Sequence, residues 1–229
     1  MLKSLKWFFM EDGFILQHVD HTLLAATSTW NEIEKLCEEA LAWNTASVCI
    51  PPNYVKRVRE AYSSINICTV IGFPLGYYNT AIKLAEIKEA QNDGADEFDM
   101  VINISSLKNG DFEYVENEIK TLKQAIGSKV LKVIIETCYL TEKEKICMCK
   151  AVTNAGADYI KTSTGFGTTG ATMADVILFK ENIGSDVKIK AAGGIRTRED
   201  MVDFINIGCS RLGTSSAVKI LTGANAVGY

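Results

Sequence analysis

The sequence predicts an α/β fold, a single-domain (β/α)8 TIM barrel, on three observations. Strand-like apolar runs alternate with amphipathic helical stretches along the chain, eight of the former separated by seven of the latter. Three helix exits share one chemistry, Asn92-Asp93-Gly94, Asn154-Ala155-Gly156 and Asn206-Ile207-Gly208, each placing glycine where a left-handed cap stops a helix before the next strand. A length of 229 residues suits one barrel. The rival fold, a doubly wound open sheet, needs a Gly-rich phosphate turn after its first strand, where this chain has Asp20-His21-Thr22. The barrel is expected over residues 14–222, after an arm or short helix at 1–13 and before a flexible tail at 223–229.

In chain order, Ile15–His21 reads as the first strand. Thr29 opens a helix, with Glu32 as its capping-box partner and Trp30, Ile33, Leu36, Cys37, Ala40 and Leu41 at helical spacing. Ala46–Ile50 is the second strand, and a helix through Val55 and Val58 leads to the third, Ile67–Ile71. A helix over Ala81–Gln91 stops at Gly94, before Glu97–Asn103 as strand four. A helix from Asp111 to Ala125 ends at Gly127 and precedes strand five, Val130–Ile135. A Thr141-capped helix then leads to strand six, with Lys161 at its middle. A helix over Ala171–Glu181 precedes strand seven, Lys188–Ala192, and a helix over Thr197–Asn206 precedes strand eight, Arg211–Thr214. A short helix follows from Ser215.

The composition, 47% hydrophobic and 23% charged, is that of a soluble globular protein. A net charge of −4 offers no broad basic field, which argues against nucleic acid as a partner. The seven cysteines are odd in number and form no C-x-x-C, which suits a reducing, cytoplasmic setting. Cys147 and Cys149 invite a metal reading, but with only His18 and His21 as histidines no local spacing assembles a zinc site, and no metal is expected. The apolar run of the N-terminal arm, around Trp7, Phe8 and Phe9, is too short to span a membrane. Those aromatics leave a homodimer open as something that covers the arm.

Three strands carry a lysine among apolar residues: Lys132, Lys161 and Lys190. One strand lysine is ordinarily a side chain reaching for solvent. Three on neighbouring strands place three cations in one interior. Barrel enzymes keep their chemistry at the carboxyl ends of the strands, which gathers Asp20, Cys49, Asp99, Lys132, Lys161 and Lys190. Period-two alternation puts Asp99, Val101 and Asn103 on one face of strand four, and Lys132, Ile134 and Glu136 on one face of strand five. A structural Lys–Asp pair would satisfy Asp99. The functional alternative is amine chemistry, since an unprotonated lysine is a nucleophile toward carbonyls. Moving a lysine pKa from ~10.4 to about 7 takes roughly 4 to 5 kcal/mol. A second ammonium about 5 Å away supplies roughly 3 kcal/mol at an effective dielectric of about 20. A Lys161–Lys190 pair is therefore a sufficient device for a Schiff-base nucleophile, with Asp99 and Lys132 placed to move protons. The small-residue turns Gly165-Phe166-Gly167, Gly193-Gly194 and Gly213-Thr214-Ser215-Ser216 offer backbone N–H groups to an anion such as a phosphate.

From Val19 to Thr222 the chain resembles the deoxyribose-phosphate aldolase family of class I aldolases. The resemblance is carried by Asp20-His21-Thr22-Leu23-Leu24, Ser47-Val48-Cys49, Gly72-Phe73-Pro74-Leu75-Gly76, Asp99-Met100-Val101-Ile102-Asn103, Lys132-Val133-Ile134-Ile135-Glu136-Thr137, Lys161-Thr162-Ser163-Thr164-Gly165-Phe166, Lys190-Ala191-Ala192-Gly193-Gly194-Ile195-Arg196-Thr197 and Gly213-Thr214-Ser215-Ser216. It implies reversible cleavage of 2-deoxy-D-ribose 5-phosphate to D-glyceraldehyde 3-phosphate and acetaldehyde, within deoxyribonucleotide catabolism and without a cofactor. It further implies Lys161 as the Schiff-base lysine, Lys190 as its pKa-lowering and proton-transfer partner, and Asp99 with Lys132 as the relay. Asp20, Thr22, Cys49 and Thr164 are implied as pocket residues, and Gly165, Gly193, Gly194, Ser215 and Ser216 as the phosphate site. Two stretches depart from the family's pattern: Ala25-Ala26 stands where members often carry Lys-Pro, and Gly167-Thr168-Thr169-Gly170 replaces a common Ser-Thr-Gly-Gly. Some members use a C-terminal tyrosine in proton transfer, and this chain ends in Tyr229. The rival functions are another Schiff-base phosphosugar aldolase or transaldolase, and a barrel that only binds phosphorylated metabolites.

Overall fold

A computed structural model describes residues 10–223 of the chain. The expectations for Trp7, Phe8, Phe9 and Tyr229 lie outside the described residues. Eight parallel strands close on themselves in sequence order: β1 (Val19–Thr22), β2 (Ser47–Ile50), β3 (Ile67–Ile71), β4 (Glu97–Val101), β5 (Val130–Ile134), β6 (Tyr159–Lys161), β7 (Lys188–Ala192) and β8 (Cys209–Thr214). Pairing of Asp20 with Gly213 joins β8 back to β1, so the sheet has no edge.

The helices are α1 (Asp12–Leu16), α2 (Trp30–Trp43), α3 (Val55–Ala61), α4 (Thr80–Asn92), α5 (Ile104–Lys108), α6 (Phe112–Ile126), α7 (Glu142–Asn154), α8 (Met173–Asn182), α9 (Arg198–Ile207) and α10 (Ala217–Thr222). Their starts are written in local chemistry. Thr29 with Glu32, Thr141 with Glu144 and Thr197 with Asp200 each form a capping box, and Asn79 caps α4 by accepting from the Ile82 N–H. The glycines expected to end helices do so with positive φ: +103° at Gly94, +71° at Gly156 and +122° at Gly208.

Strand alternation then sorts the barrel into two cores. Phe98, Met100, Leu131, Val133, Ile160, Ile189, Ala191 and Leu212 pack with the helices in one large apolar layer. The other parity, Glu97, Asp99, Lys132, Tyr159, Lys161, Lys190 and Arg211, lies within the barrel, beside a small apolar cluster of Leu24, Cys49, Cys68 and Val70. Among the described residues no helix is long and apolar enough to cross a membrane.

Three expectations are corrected and one helix is added. Ile15 and Leu16, expected to open the first strand, instead end the helix Asp12–Leu16, which Arg198 grips from α9, bonding the Asp12 carboxylate and the Met10 carbonyl. This tertiary clamp decides a segment whose apolar residues fit either period. Lys161 is the last residue of β6, not its middle. Asn103 has left strand four and caps α5, its side chain accepting from the Ser106 N–H at 3.1 Å. Helix α5, five residues long, was not anticipated from the sequence.

Candidate active site

Strand register brings the lysines together. Asp99 pairs with Lys132 across β4 and β5, Ile134 with Lys161 across β5 and β6, Lys161 with Lys190 across β6 and β7, and Lys190 with Arg211 across β7 and β8. Residues opposite one another in neighbouring strands share a face, so these side chains converge. Asp99 is their common acceptor. Lys132 Nζ donates to its Oδ1 at 2.9 Å, while Lys161 Nζ and Lys190 Nζ both donate to its Oδ2 at 2.7 Å.

Beneath this point the network continues. Lys132 reaches Glu97 Oε2 at 2.6 Å and Asp20 Oδ2 at 3.5 Å, and Lys190 also donates to Asp20 Oδ2. Arg211 forks onto both oxygens of Glu97, at 3.0 and 2.9 Å, and binds Asp20 Oδ1, which also accepts from Ser47 Oγ at 2.8 Å. Gly213 gives Lys190 its path, because a Cβ there would sit 3.2 Å from Lys190 Cε.

The electrostatics follow from burial and this pairing. Burial opposes ionisation of Asp20 and Asp99, but surrounding ammonium and guanidinium groups outweigh it and hold both carboxyls well below the usual range. Glu97 is lowered in the same way, against burial, chiefly by Lys132. Burial likewise opposes the charge on Lys132 and Lys190, and Asp20 and Asp99 overcome it, raising both lysines. Three carboxylates and four cations thus share one interior, and they differ in partners. Lys132 contacts three carboxylates, Lys190 and Arg211 two each, and Lys161 has its ion pair with Asp99.

A cavity of about 470 Å³ opens over the carboxyl ends of β6, β7 and β8, and Lys161 lies on its wall. Thr22, Thr164, Gly165, Gly193, Gly194, Ser215 and Ser216 line the same cavity. Asp99, Lys132, Lys190, Asp20 and Cys49 are fully buried below it. Cys49 pairs in register with Cys68, whose thiol lies 3.1 Å from both Asp99 Oδ1 and Lys132 Nζ. The glycine turns meet as one wall: a Cβ on Gly170 would fall 2.2 Å from the Gly193 carbonyl oxygen.

Two donor triplets could in principle hold a metal, Cys49 with Cys68 and Asp99, and Asp20 with Cys68 and Glu97. The carboxylates of both already accept from ammonium groups in the space between them, so a further cation would meet fixed positive charge.

Sequence reasoning missed Arg211 and Glu97 in the network and Arg196 and Lys219 on the cavity wall. Parity could have found the first two, since Glu97 shares a face with Asp99 and Arg211 one with Gly213. Arg196 and Lys219 sit in a turn and on α10, where no period announces direction.

A parallel eight-stranded barrel with an amine cluster in its interior, of which Lys161 ends its strand and opens to a cavity edged by glycine turns, has the architecture of a barrel enzyme. The chain belongs to the DeoC/LacD family of aldolases, which it matches over residues 14–223. It is 62% identical over 221 residues to a deoxyribose-phosphate aldolase of Clostridium botulinum, spanning 96% of this chain and 100% of that one. It is 58% identical to the protein of the same description in Clostridioides difficile, over 94% of this chain and 99% of that one. Among solved structures, the tetrameric deoxyribose phosphate aldolase of Aeropyrum pernix superposes with a TM-score of 0.84 at 30% identity, covering 92% of this chain and 91% of that one.

Proposed function

We propose that the chain is a class I aldolase that reversibly cleaves 2-deoxy-D-ribose 5-phosphate to D-glyceraldehyde 3-phosphate and acetaldehyde, with Lys161 as the Schiff-base nucleophile. The observation that carries this reading is the shared acceptor: Lys161 and Lys190 both end on Asp99 Oδ2, and Lys161 is on the cavity wall.

A charge inventory supports Lys161 over its neighbours. The network of Asp20, Glu97, Asp99, Lys132, Lys161, Lys190 and Arg211 carries one net positive charge when all are ionised. Removing one proton makes it neutral, and Lys161 is the cation with the fewest carboxylates to release. Lys190, raised by Asp20 and Asp99, keeps its charge and stands as a fixed cation beside the reacting amine.

In the cleavage direction the Lys161 amine attacks the aldehyde carbon of the open-chain sugar, and loss of water leaves an iminium. The relay takes the proton from the C3 hydroxyl while the C2–C3 bonding electrons flow into the iminium. Glyceraldehyde 3-phosphate departs and a neutral enamine stays on Lys161. At that moment Asp99 loses one of the three cations that depress its proton affinity, which is the stage at which it must hold the proton. The same proton returns to the enamine carbon, and hydrolysis frees acetaldehyde. Three carboxylates and two further lysines thereby hold the total charge of the site constant while one proton moves.

The phosphate belongs at the wall formed by Gly165, Gly193, Gly194, Ser215 and Ser216, where backbone N–H groups are joined by Arg196 and Lys219. Deoxyribonucleotide catabolism in the cytoplasm is the setting this reaction fits, and no cofactor is required by it. A homo-oligomer is the assembly we favour, and sedimentation of this chain distinguishes a dimer from the tetramer described for the A. pernix protein.

The experiment is borohydride reduction in the presence of acetaldehyde, followed by peptide mass mapping, beside turnover of deoxyribose 5-phosphate. The expected result is a two-carbon adduct on Lys161. Active protein with no adduct there sinks the mechanism, and turnover of fructose or sedoheptulose phosphates instead of deoxyribose 5-phosphate sinks the substrate.

A further inference from the structure

Among the described residues near the site, the one that spends backbone energy without an assigned purpose is Glu136. It follows β5 in the left-handed region, at φ +52°, a conformation in which a residue with a side chain is strained. The ladder to the next strand slips around it. Ile135 N–H donates to the Lys161 carbonyl and Thr137 N–H to the Thr162 carbonyl, so one side advances two residues while the other advances one. Such a bulge re-aims the extra residue's side chain.

The side chain is re-aimed off the face it was expected to share with Lys132 and onto the turn after β6. The Glu136 carboxylate accepts from the Thr164 backbone N–H, at 3.2 and 3.3 Å to its two oxygens, and from Thr164 Oγ1. Thr164 Oγ1 in turn accepts from the Phe166 N–H at 3.0 Å, fixing the turn through Gly165. The carboxylate is buried, and the chain makes room for it: a Cβ on Gly167 would lie 3.1 Å from the Glu136 carboxyl group and 2.8 Å from Cys138 Sγ. The held residues, Thr164 and Gly165, are cavity wall beside Lys161.

We infer that Glu136 is a positioning residue, which fixes the Thr164–Gly165 wall relative to Lys161 and so sets how the phosphorylated end of the substrate is held. This rests on the aldolase reading for the identity of the substrate, and on the bulge and its hydrogen bonds for the role.

The strain supplies a test that an ordinary structural role fails. Glu136→Gly removes the carboxylate but takes the left-handed backbone without strain, so its urea midpoint should fall less than that of Glu136→Ala, which loses the same hydrogen bonds and keeps the strain. Its KM for deoxyribose 5-phosphate should rise about tenfold or more, with kcat changed much less, because a small displacement of a binding wall is costly. Glu136→Gln, which keeps one acceptor for the Thr164 N–H, should recover most of the KM. Thr164→Val, which removes the gripped hydroxyl, should reproduce the KM effect if the glycine variant folds poorly. Calorimetric titration with inorganic phosphate reads the wall without turnover and should weaken in parallel. A parent that does not cleave deoxyribose 5-phosphate, yet binds phosphate about tenfold more tightly than Glu136→Gly, overturns the aldolase reading and leaves the role of Glu136 standing. Unchanged KM and phosphate affinity in the glycine variant, or a parent that takes up no phosphate, overturns the role itself.

Discussion

Lys161 and Lys190 face each other across the β6–β7 register and donate, each at 2.7 Å, to the same oxygen of Asp99. Their nitrogens are therefore no more than twice that distance apart. At about 5 Å and an effective dielectric of about 20, two ammonium charges repel by roughly 3 kcal/mol. Asp99 holds them together and is itself held ionised by them. The arrangement poises one amine against a neighbour that stays charged.

Removing that neighbour should expose the coupling. Lys190→Leu takes away the fixed cation beside Lys161 and one of the three that depress Asp99. Turnover should fall about a hundredfold or more, in line with losing a proton-transfer group, and the acid limb of kcat/KM should move to higher pH. A pH–rate profile of unchanged shape would mean that the two lysines are not coupled in the reaction.

Asp20 tests the pH dependence of stability. Its carboxyl, with those of Asp99 and Glu97, is held below the unfolded value, so each contributes stability that is full above the ordinary carboxylate range and is lost as pH falls through the depressed folded value. The unfolded chain binds more protons than the folded one below about pH 5, so the urea midpoint of the parent should drop from about pH 5 downward. Asp20→Asn should cost about 3–5 kcal/mol at neutral pH by leaving buried cations short of a partner. It should also flatten the decline between pH 5 and pH 3. Parallel curves for parent and variant would show that Asp20 titrates alike in both states.

What the sequence made legible was whatever repeats or alternates. Eight strands, the helix caps at Thr29 and Thr141, and the convergence of Lys132, Lys161 and Lys190 all follow from periods and cap residues that one chain displays. The losses have physical causes. Asp12–Leu16 is helical through a clamp from Arg198, 186 residues away from Asp12, which no local window contains. Glu136 broke its expected parity because a single bulge residue shifts everything after it, and a bulge at a non-glycine position leaves no mark in the sequence. Arg211 was readable by parity, yet strand arginines at a barrel's amino end are ordinarily surface groups. Here one forks onto buried Glu97.

The departure at Gly167-Thr168-Thr169-Gly170 backs the cavity wall, packed through Gly170 against the lining residue Gly193, and Gly170 is where it is least tolerant. Its missing side chain lets the turn after β6 lie against the Gly193 carbonyl, where a Cβ would come within 2.2 Å of the oxygen. The obstacle is backbone, which cannot rotate away. Gly170→Ala should therefore push the two turns apart and raise KM for the phosphorylated substrate about tenfold, while borohydride trapping of acetaldehyde on Lys161 proceeds at the parent rate. A trapping rate that falls with KM would place the damage at the lysine instead of the wall.

Away from the site, Lys83 and Glu118 form an ion pair with both side chains fully buried, 2.8 Å apart between α4 and α6, and Lys83 also donates to the Val101 carbonyl at the end of β4. Burial works against both charges, pulling Lys83 down and pushing Glu118 up. Neither residue touches the cavity, so the pair is a question of stability alone. Lys83→Met should cost about 3–5 kcal/mol by stranding Glu118, and Glu118→Leu a similar amount by stranding Lys83. The double variant should recover much of that loss, because an apolar pair of similar volume carries no desolvation cost. Urea titration of the four proteins gives the coupling energy directly. Losses that simply add would show that each charge is satisfied independently, Lys83 by the Val101 carbonyl and Glu118 by its bond from Thr80.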